Sequence, residues 1–286
     1  MYKQRIDEFI DSRREEMLRD LEMLVRIDSR AGEAAEGKPF GEGPAEALAA
    51  AQELMEKYGL RTTNYDNYVV TGDLSDQEKG LDILAHLDVV PVTDDWTVTQ
   101  PFEPKIVDGR IYGRGTADDK GPAIAALYAI RAVRELGIPM KKSVRLILGS
   151  DEECGSGDLK HYYSIEQEAP YTFTPDADFP VINIEKGRLE GEIVAEFSNG
   201  LQLPGVVSLT IGDKANVVPQ KAHFVVAGLD ETVIAETAAQ LGGQIGVSFC
   251  VKAADEKEAE GFGPEVPVIS VDVRGQAAHA STPQEG

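Results

Sequence analysis

Residues 83–91 read Ile83-Leu84-Ala85-His86-Leu87-Asp88-Val89-Val90-Pro91. A short apolar run closed by a proline has the length and composition of a buried strand, expected over 81–87. Side chains two apart on a strand share a face, so His86 and Asp88 point to the same side. A carboxylate beside an imidazole fixes the ring's tautomer and leaves its other nitrogen free for a metal ion. Taken alone, His-x-Asp is better explained by a structural histidine at a strand end. The residues on either side of it change that reading.

Downstream, 92–111 forms a long connection with turns at Asp94-Asp95 and Asp108-Gly109, and Trp96 and Phe102 pack it onto the core. Then come Gly113-Arg114-Gly115-Thr116-Ala117-Asp118-Asp119-Lys120-Gly121-Pro122 and a helix from about 121 to 136, closed by Gly137. A strand over 143–149 runs straight into Ser150-Asp151-Glu152-Glu153. A helix over 158–165 and a strand over 171–174 lead to Pro175-Asp176-Ala177-Asp178. Upstream, Ile6, Phe9, Ile10, Met17, Leu21 and Leu24 predict one amphipathic helix over 5–27. A loop over 28–43, Pro44 at a helix N1 position, a helix over 45–58 ended by Gly59 and a strand over 67–71 follow.

Strands alternating with helices predict an α/β fold, a mostly parallel sheet with flanking helices. Sites in such sheets lie beyond the carboxyl ends of the strands. Four clusters fall there or just before helices: His86/Asp88, Asp118/Asp119, Glu152/Glu153 and Asp176/Asp178. Charge scattered for solubility has no need to gather at those points, so the clusters together favour a metal site. Beyond residue 187 the pattern changes to strands over 189–197, 206–211, 223–227, 247–253 and 268–273. A helix over 232–241 sits among them, closed by Gly242-Gly243. The expected organisation is a first domain over 1–187 and a smaller α+β domain over 188–286.

The chain has 286 residues, with 50 acidic against 28 basic side chains and a formal charge of −22. Such a surface repels phosphate backbones, so nucleic acid is not an expected partner. No apolar run reaches the roughly 18 residues of a membrane span. The first residues lead into an amphipathic helix without the apolar core of a signal peptide. Cys154 and Cys250 form neither a disulfide framework nor a Cys-x-x-Cys site. These features suit the cytoplasm, and the oligomeric state is not legible.

The motifs at 86–91, 113–122, 149–153 and 175–180, with Glu185-Lys186-Gly187, Ala215-Asn216-Val217-Val218-Pro219 and Gly275-Gln276-Ala277-Ala278-His279-Ala280-Ser281, resemble one family. The chain is similar to the di-metal aminopeptidase/aminoacylase/carboxypeptidase superfamily, and within it to the PepV-type bacterial dipeptidases. The resemblance implies a hydrolase of dipeptides with a free N-terminus, with water activated by two divalent ions, zinc by expectation and manganese or cobalt as alternatives. It implies that His86 and Asp176 hold one ion, Glu153 the other, and Asp118 both. It further implies that Asp88 orients His86 and that Glu152 is the general base. Asn216 and His279, from a lid domain, would hold the substrate and its developing oxyanion. A cis peptide is implied at Asp118-Asp119. His161 and His223 read as structural, and Lys120 as a solvated cation at a helix start. The resemblance also implies a longer chain with a last metal-binding histidine that none of the four histidines here supplies, so the catalytic and lid domains are both expected to be partial. The alternatives are a deacylase of N-acyl amino acids and an inactive fragment that binds metal or peptide.

Overall fold

The computed structural model describes residues 2–93, 96–187, 189, 191–195, 200–212, 215, 217–280 and 282–283. The chain divides into two compact units, Met1–Glu185 and Lys186–Gly286.

The first unit opens with two helices, α1 (Tyr2–Ser12) and α2 (Arg14–Val25), where the apolar pattern predicted one. The break has a local cause. The Ser12 hydroxyl donates to the Phe9 carbonyl at 2.7 Å, competing with the helical ladder. Arg13 then turns out of helical geometry at φ −107°, ψ 5°. Helix α3 (Glu42–Lys57) starts two residues before Pro44, whose missing N–H falls in the first turn, where no helical bond is lost. Gly41 precedes it at φ 100°, and a Cβ there would come within 2.8 Å of the Gly32 Cα.

Strands β1 (Arg61–Tyr65), β2 (Val69–Asp73) and β3 (Lys79–His86) follow, then a short hairpin of β4 (Lys105–Val107) and β5 (Arg110–Tyr112). The hairpin turns at Asp108-Gly109, the site of a predicted turn. Strand β1 escaped sequence reading because Arg-Thr-Thr-Asn-Tyr has no apolar alternation and lies mostly exposed. Helix α4 (Lys120–Glu135), β6 (Ser143–Gly149), a 3-10 turn over Glu152–Cys154, α5 (Gly157–Ile165) and β7 (Thr172–Phe173) complete the unit.

The sheet runs β1-β2-β6-β3-β7. Strands β6, β3 and β7 are parallel neighbours, β2 pairs antiparallel with β6, and β1 antiparallel with β2, so only β2 runs against the rest. One face buries Leu24, Leu48, Met55, Ile124, Leu127 and Tyr128 from α2, α3 and α4 against Leu146 and Leu148 of β6. Each such side chain contributes about 1.5–3 kcal/mol by leaving water. The opposite face carries a smaller cluster of Val69, Ile147 and Tyr162, with Leu84 and Leu159 partly buried against it. Inside β6, Arg145 makes paired bonds to Asp73 at 2.7 and 2.9 Å and reaches the Tyr162 hydroxyl at 3.0 Å.

The second unit contains β8 (Gly205–Ile211), β9 (Val217–Val218), β10 (Lys221–Ala227), α6 (Glu231–Ile245), β11 (Ser248–Ala253), β12 (Val268–Arg274) and β13 (Ala278–His279). An antiparallel sheet runs β11-β12-β10-β8, and β13 pairs with β9. Helix α6 passes through Gly242-Gly243, the predicted stop, and ends at Gly246 with φ 73°. The reason is packing. A Cβ on Gly242 would lie 2.9 Å from the Val247 carbonyl oxygen and 3.5 Å from the Phe249 ring, so glycine lets α6 close onto β11. Of the strand expected over 189–197, residues 189 and 191–195 carry no strand, and 190 and 196–197 lie outside the described residues. Among the described residues no helix is long and apolar enough to cross a membrane.

Candidate metal centre

Three parallel strands end side by side, and each sends a cluster past its carboxyl end. Strand β3 stops at His86, β6 runs out through Gly149 into the Glu152–Cys154 turn, and β7 leads to Asp176. The loop before α4 adds Asp118, whose peptide to Asp119 is cis.

His86 is the centre of the group and is 3% exposed. Its Nε2 lies 3.0 Å from Asp118 Oδ1 and 3.5 Å from Asp176 Oδ2. Its Nδ1 lies 3.0 Å from the main-chain oxygen of Asp88 and 3.3 Å from Asp88 Oδ1. A carbonyl oxygen can only accept, so Nδ1 carries the proton toward it and the Nε2 lone pair faces two carboxylate oxygens. Lone pairs set against each other in this way call for a cation between them. Ligand atoms of His86, Asp118 and Asp176 all fall within 4.8 Å of one another. One imidazole nitrogen and two carboxylates suit a divalent ion such as zinc, and an oxygen-rich set also suits manganese.

A proton on Nε2 can take the place of that cation. Burial works to lower the His86 pKa, but hydrogen bonds with Asp118, Asp176 and Asp88 outweigh it and the net direction is upward. The hydrogen bond with His86 holds Asp118 below the usual carboxylate range. Burial raises Glu152, and raises Glu153 to about 7. Five carboxyl groups gathered round one imidazole make a site that stabilises positive charge.

Asp88 does more than face the imidazole. Its carboxylate accepts the main-chain N–H of Glu152 at 3.1 Å and of Glu153 at 3.0 Å. Both glutamates are therefore held beside the histidine by their backbones, Glu152 exposed and Glu153 half-buried. Glu153 is not a member of the three-residue ligand group among the described residues. Asp178 is exposed. Asn216 lies outside the described residues, and of His279 only the main chain is described, paired with Val217.

Lys120 corrects an expectation. It is fully buried, with Nζ donating to the carbonyls of Leu24 at 2.9 Å and Ile27 at 2.8 Å, and burial pushes its pKa down to about 8. The Leu24 carbonyl is in the last turn of α2 and Ile27 lies just past its end, where a cation complements the helix dipole. The loop bearing Asp118 is thereby tied to α2. His161 stacks on Tyr68 at 4.0 Å and meets Asp66 at 3.2 Å. His223 sits between Asp272 and Glu258, each at 2.8 Å.

Two supporting residues were missed in the sequence. Asp158 accepts the N–H groups of Ser150, Asp151 and Leu159 at 2.6, 3.1 and 2.7 Å, shaping the turn that carries Glu152. An aspartate in a helix's first turn was the available signal. Ser29 donates to the Leu87 carbonyl at 2.6 Å and had no signal at all, because the contact spans 58 positions.

Residues 83–283 match the profile of peptidase family M20/M25/M40. The chain belongs to that family. The YtjP protein of Bacillus subtilis (strain 168) is 39% identical over 220 residues, which is 76% of this chain and 47% of that protein. The Beta-Ala-Xaa dipeptidase of Lactobacillus delbrueckii subsp. lactis is 34% identical over 284 residues, 98% of this chain and 57% of that enzyme. The chain thus spans about half the length of these relatives. Among solved structures, human carnosine dipeptidase 1 matches 96% of this chain and 72% of its own, with a TM-score of 0.53 at 17% identity, a likeness of fold. The family match begins at Ile83, inside the strand that delivers His86, and takes in every metal-ligand candidate.

Proposed function

We propose that this chain forms the metal-binding and water-activating part of a metal-dependent hydrolase of short peptides, a dipeptidase. The observation that carries the reading is the His86 Nε2 facing carboxylate oxygens of Asp118 and Asp176 at 3.0 and 3.5 Å. A relative named as a dipeptidase aligns with 98% of the chain, which supports the peptide substrate.

In this reading His86 and Asp176 would hold one divalent ion and Glu153 a second, with Asp118 contributing to each. Zinc is the expected metal, with manganese or cobalt as alternatives. Paired divalent ions lower the pKa of a water and polarise a peptide carbonyl. Glu152 takes a proton from the water as its oxygen bonds to the peptide carbonyl carbon, and gives that proton to the amine nitrogen as the C–N bond breaks. Burial raises the Glu152 carboxylate above its ordinary range, which makes it a stronger base than an exposed glutamate. Asp88 keeps His86 in the tautomer that frees Nε2. Asn216 and His279 receive the substrate and its oxyanion.

The test is release of free amino acids from alanyl and β-alanyl dipeptides by the chain, freed of metal and reloaded with zinc, manganese or cobalt. Metal-dependent release is the expected result. A chain that takes up metal and cleaves no dipeptide would sink the proposal. Cleavage of N-acetyl amino acids in its place would make it a deacylase.

A further inference from the structure

A cleft of about 180 Å³ opens beside the candidate metal centre, with His86, Glu152 and Asp176 on its lining. We infer that this cleft receives one apolar side chain flanking the scissile bond, and that Leu84 and Leu159 set its size limit. The inference rests on the peptidase reading above and names the substrate class for the same site.

The chemistry of the walls carries the argument. Leu84 lies two residues before His86 on β3 and so shares its face. Leu159 comes from α5. Both are half-buried and pack against Val69, Ile147 and Tyr162, so the leucine surface left open belongs to a continuous apolar wall. Ala85, Gly149, Ser156, Asp158 and Thr174 complete the lining, so the two leucines supply its large apolar side chains. A Cβ on Gly149 would fall 2.3 Å from Asp158 Oδ2, so only glycine leaves that carboxylate its place.

Asp158 offers no recognition of a charged group. It is 1% exposed, and its carboxylate already accepts three main-chain N–H groups. An acidic substrate side chain meets Glu152 and Asp176 at the same cleft and is repelled. An apolar cavity of about 150 Å³ accepts a benzene molecule, so this cleft has room for a leucine-sized side chain. An indole exceeds it.

Discrimination by such a pocket is set by the methylenes it covers, at roughly 10–200-fold each for a well-fitted one. A leucine-containing dipeptide is therefore expected to bind the metal-loaded chain at least about tenfold more tightly than glycylglycine. The experiment is leucine-methyl NMR on the 286-residue chain, loaded with zinc and titrated with Leu-Gly, Gly-Leu, Gly-Gly and Asp-Gly. Leu84 and Leu159 methyl shifts are expected with one leucine dipeptide, which identifies the side of the bond, and not with Gly-Gly or Asp-Gly. Leu159→Trp is expected to abolish the leucine preference, so that Leu-Gly binds no more tightly than Gly-Gly, while zinc stoichiometry stays at the value of the unaltered chain. Should that variant fail to fold, Leu159→Ala provides the converse, a gain for Trp-Gly relative to Leu-Gly. Dipeptides that bind equally with or without leucine, or that shift other methyls only, would overturn the pocket and leave the peptidase reading standing. No binding of any dipeptide to the zinc-loaded chain would overturn both.

Discussion

The carboxylate of Asp88 bonds the main-chain N–H groups of Glu152 and Glu153, at 3.1 and 3.0 Å, and so fastens the turn after β6 to the end of β3. The same residue's main-chain oxygen lies 3.0 Å from His86 Nδ1. One aspartate thus sets the tautomer of the imidazole and the position of both glutamates.

Asp88→Ala removes the clamp and leaves every proposed ligand in place. Metal affinity is expected to fall about 10–100-fold, the usual effect of removing a group that orients ligands. Chelator-competition titration measures it, with circular dichroism as the check on folding. Undiminished affinity in a folded variant would show that the clamp has no bearing on the metal.

A single three-residue ligand group is present among the described residues. The chain is therefore expected to bind about one zinc tightly, and His86→Ala to lose it. Elemental analysis after gel filtration gives the count. Two tightly held ions would reveal a second complete ligand set.

Glu152→Gln keeps the size of the side chain and removes its capacity to accept a proton. Turnover is expected to drop about 10²–10⁴-fold, the typical contribution of a general base, with metal content unchanged. Loss of metal along with activity would make Glu152 a ligand and reverse the roles of the two glutamates.

Arg145→Met breaks a buried pair and leaves the Asp73 carboxylate, 5% exposed, with only the longer contact to Arg61 at 3.5 Å. Removing one member of such a pair costs about 3–5 kcal/mol. Urea unfolding followed by fluorescence is the measurement. A change below about 1 kcal/mol, the scale of a surface ion pair, would mean that water already reaches the site.

The hydrogen bond to Asp272, with a second carboxylate on Glu258, raises the His223 pKa above its ordinary value. A pKa raised in the folded state stabilises the fold fully below the unfolded value of about 6.5. That contribution is lost as pH rises through the higher folded value. NMR titration of the His223 ring is expected to give a midpoint above 6.5, and Asp272→Asn to bring it down. A midpoint at or below 6.5 in the unaltered chain would refute the assignment.

Much of the first unit was legible because its strands are short apolar runs and its clusters follow them directly. Strand β6 matches its expected bounds of Ser143–Gly149, and β3, α4 and α5 shift by one or two residues. Exposed β1 was not legible, since a polar edge strand exists through its partner β2 and has no apolar period of its own. The split between α1 and α2 depends on one serine hydroxyl, and the glycine at 242 within α6 is required by the close approach of the Val247 carbonyl oxygen.

The sequence by itself determined the acidic character, the motif set and the clusters of residue types from which a metal site could be built. These depend on spacing and residue type, which a linear chain displays directly. Only the tertiary structure decided which of those residues meet. His86, Asp118 and Asp176 are 32 and 58 positions apart along the chain, yet their ligand atoms lie within 4.8 Å because parallel β3 and β7 end together. The folded chain also turned Lys120 from a surface cation into a buried tie to α2 and made Asp88 a clamp on Glu152 and Glu153. Contacts of that kind come from main-chain donors and acceptors brought near by packing, and a main-chain N–H or carbonyl is chemically the same at nearly every position in a sequence.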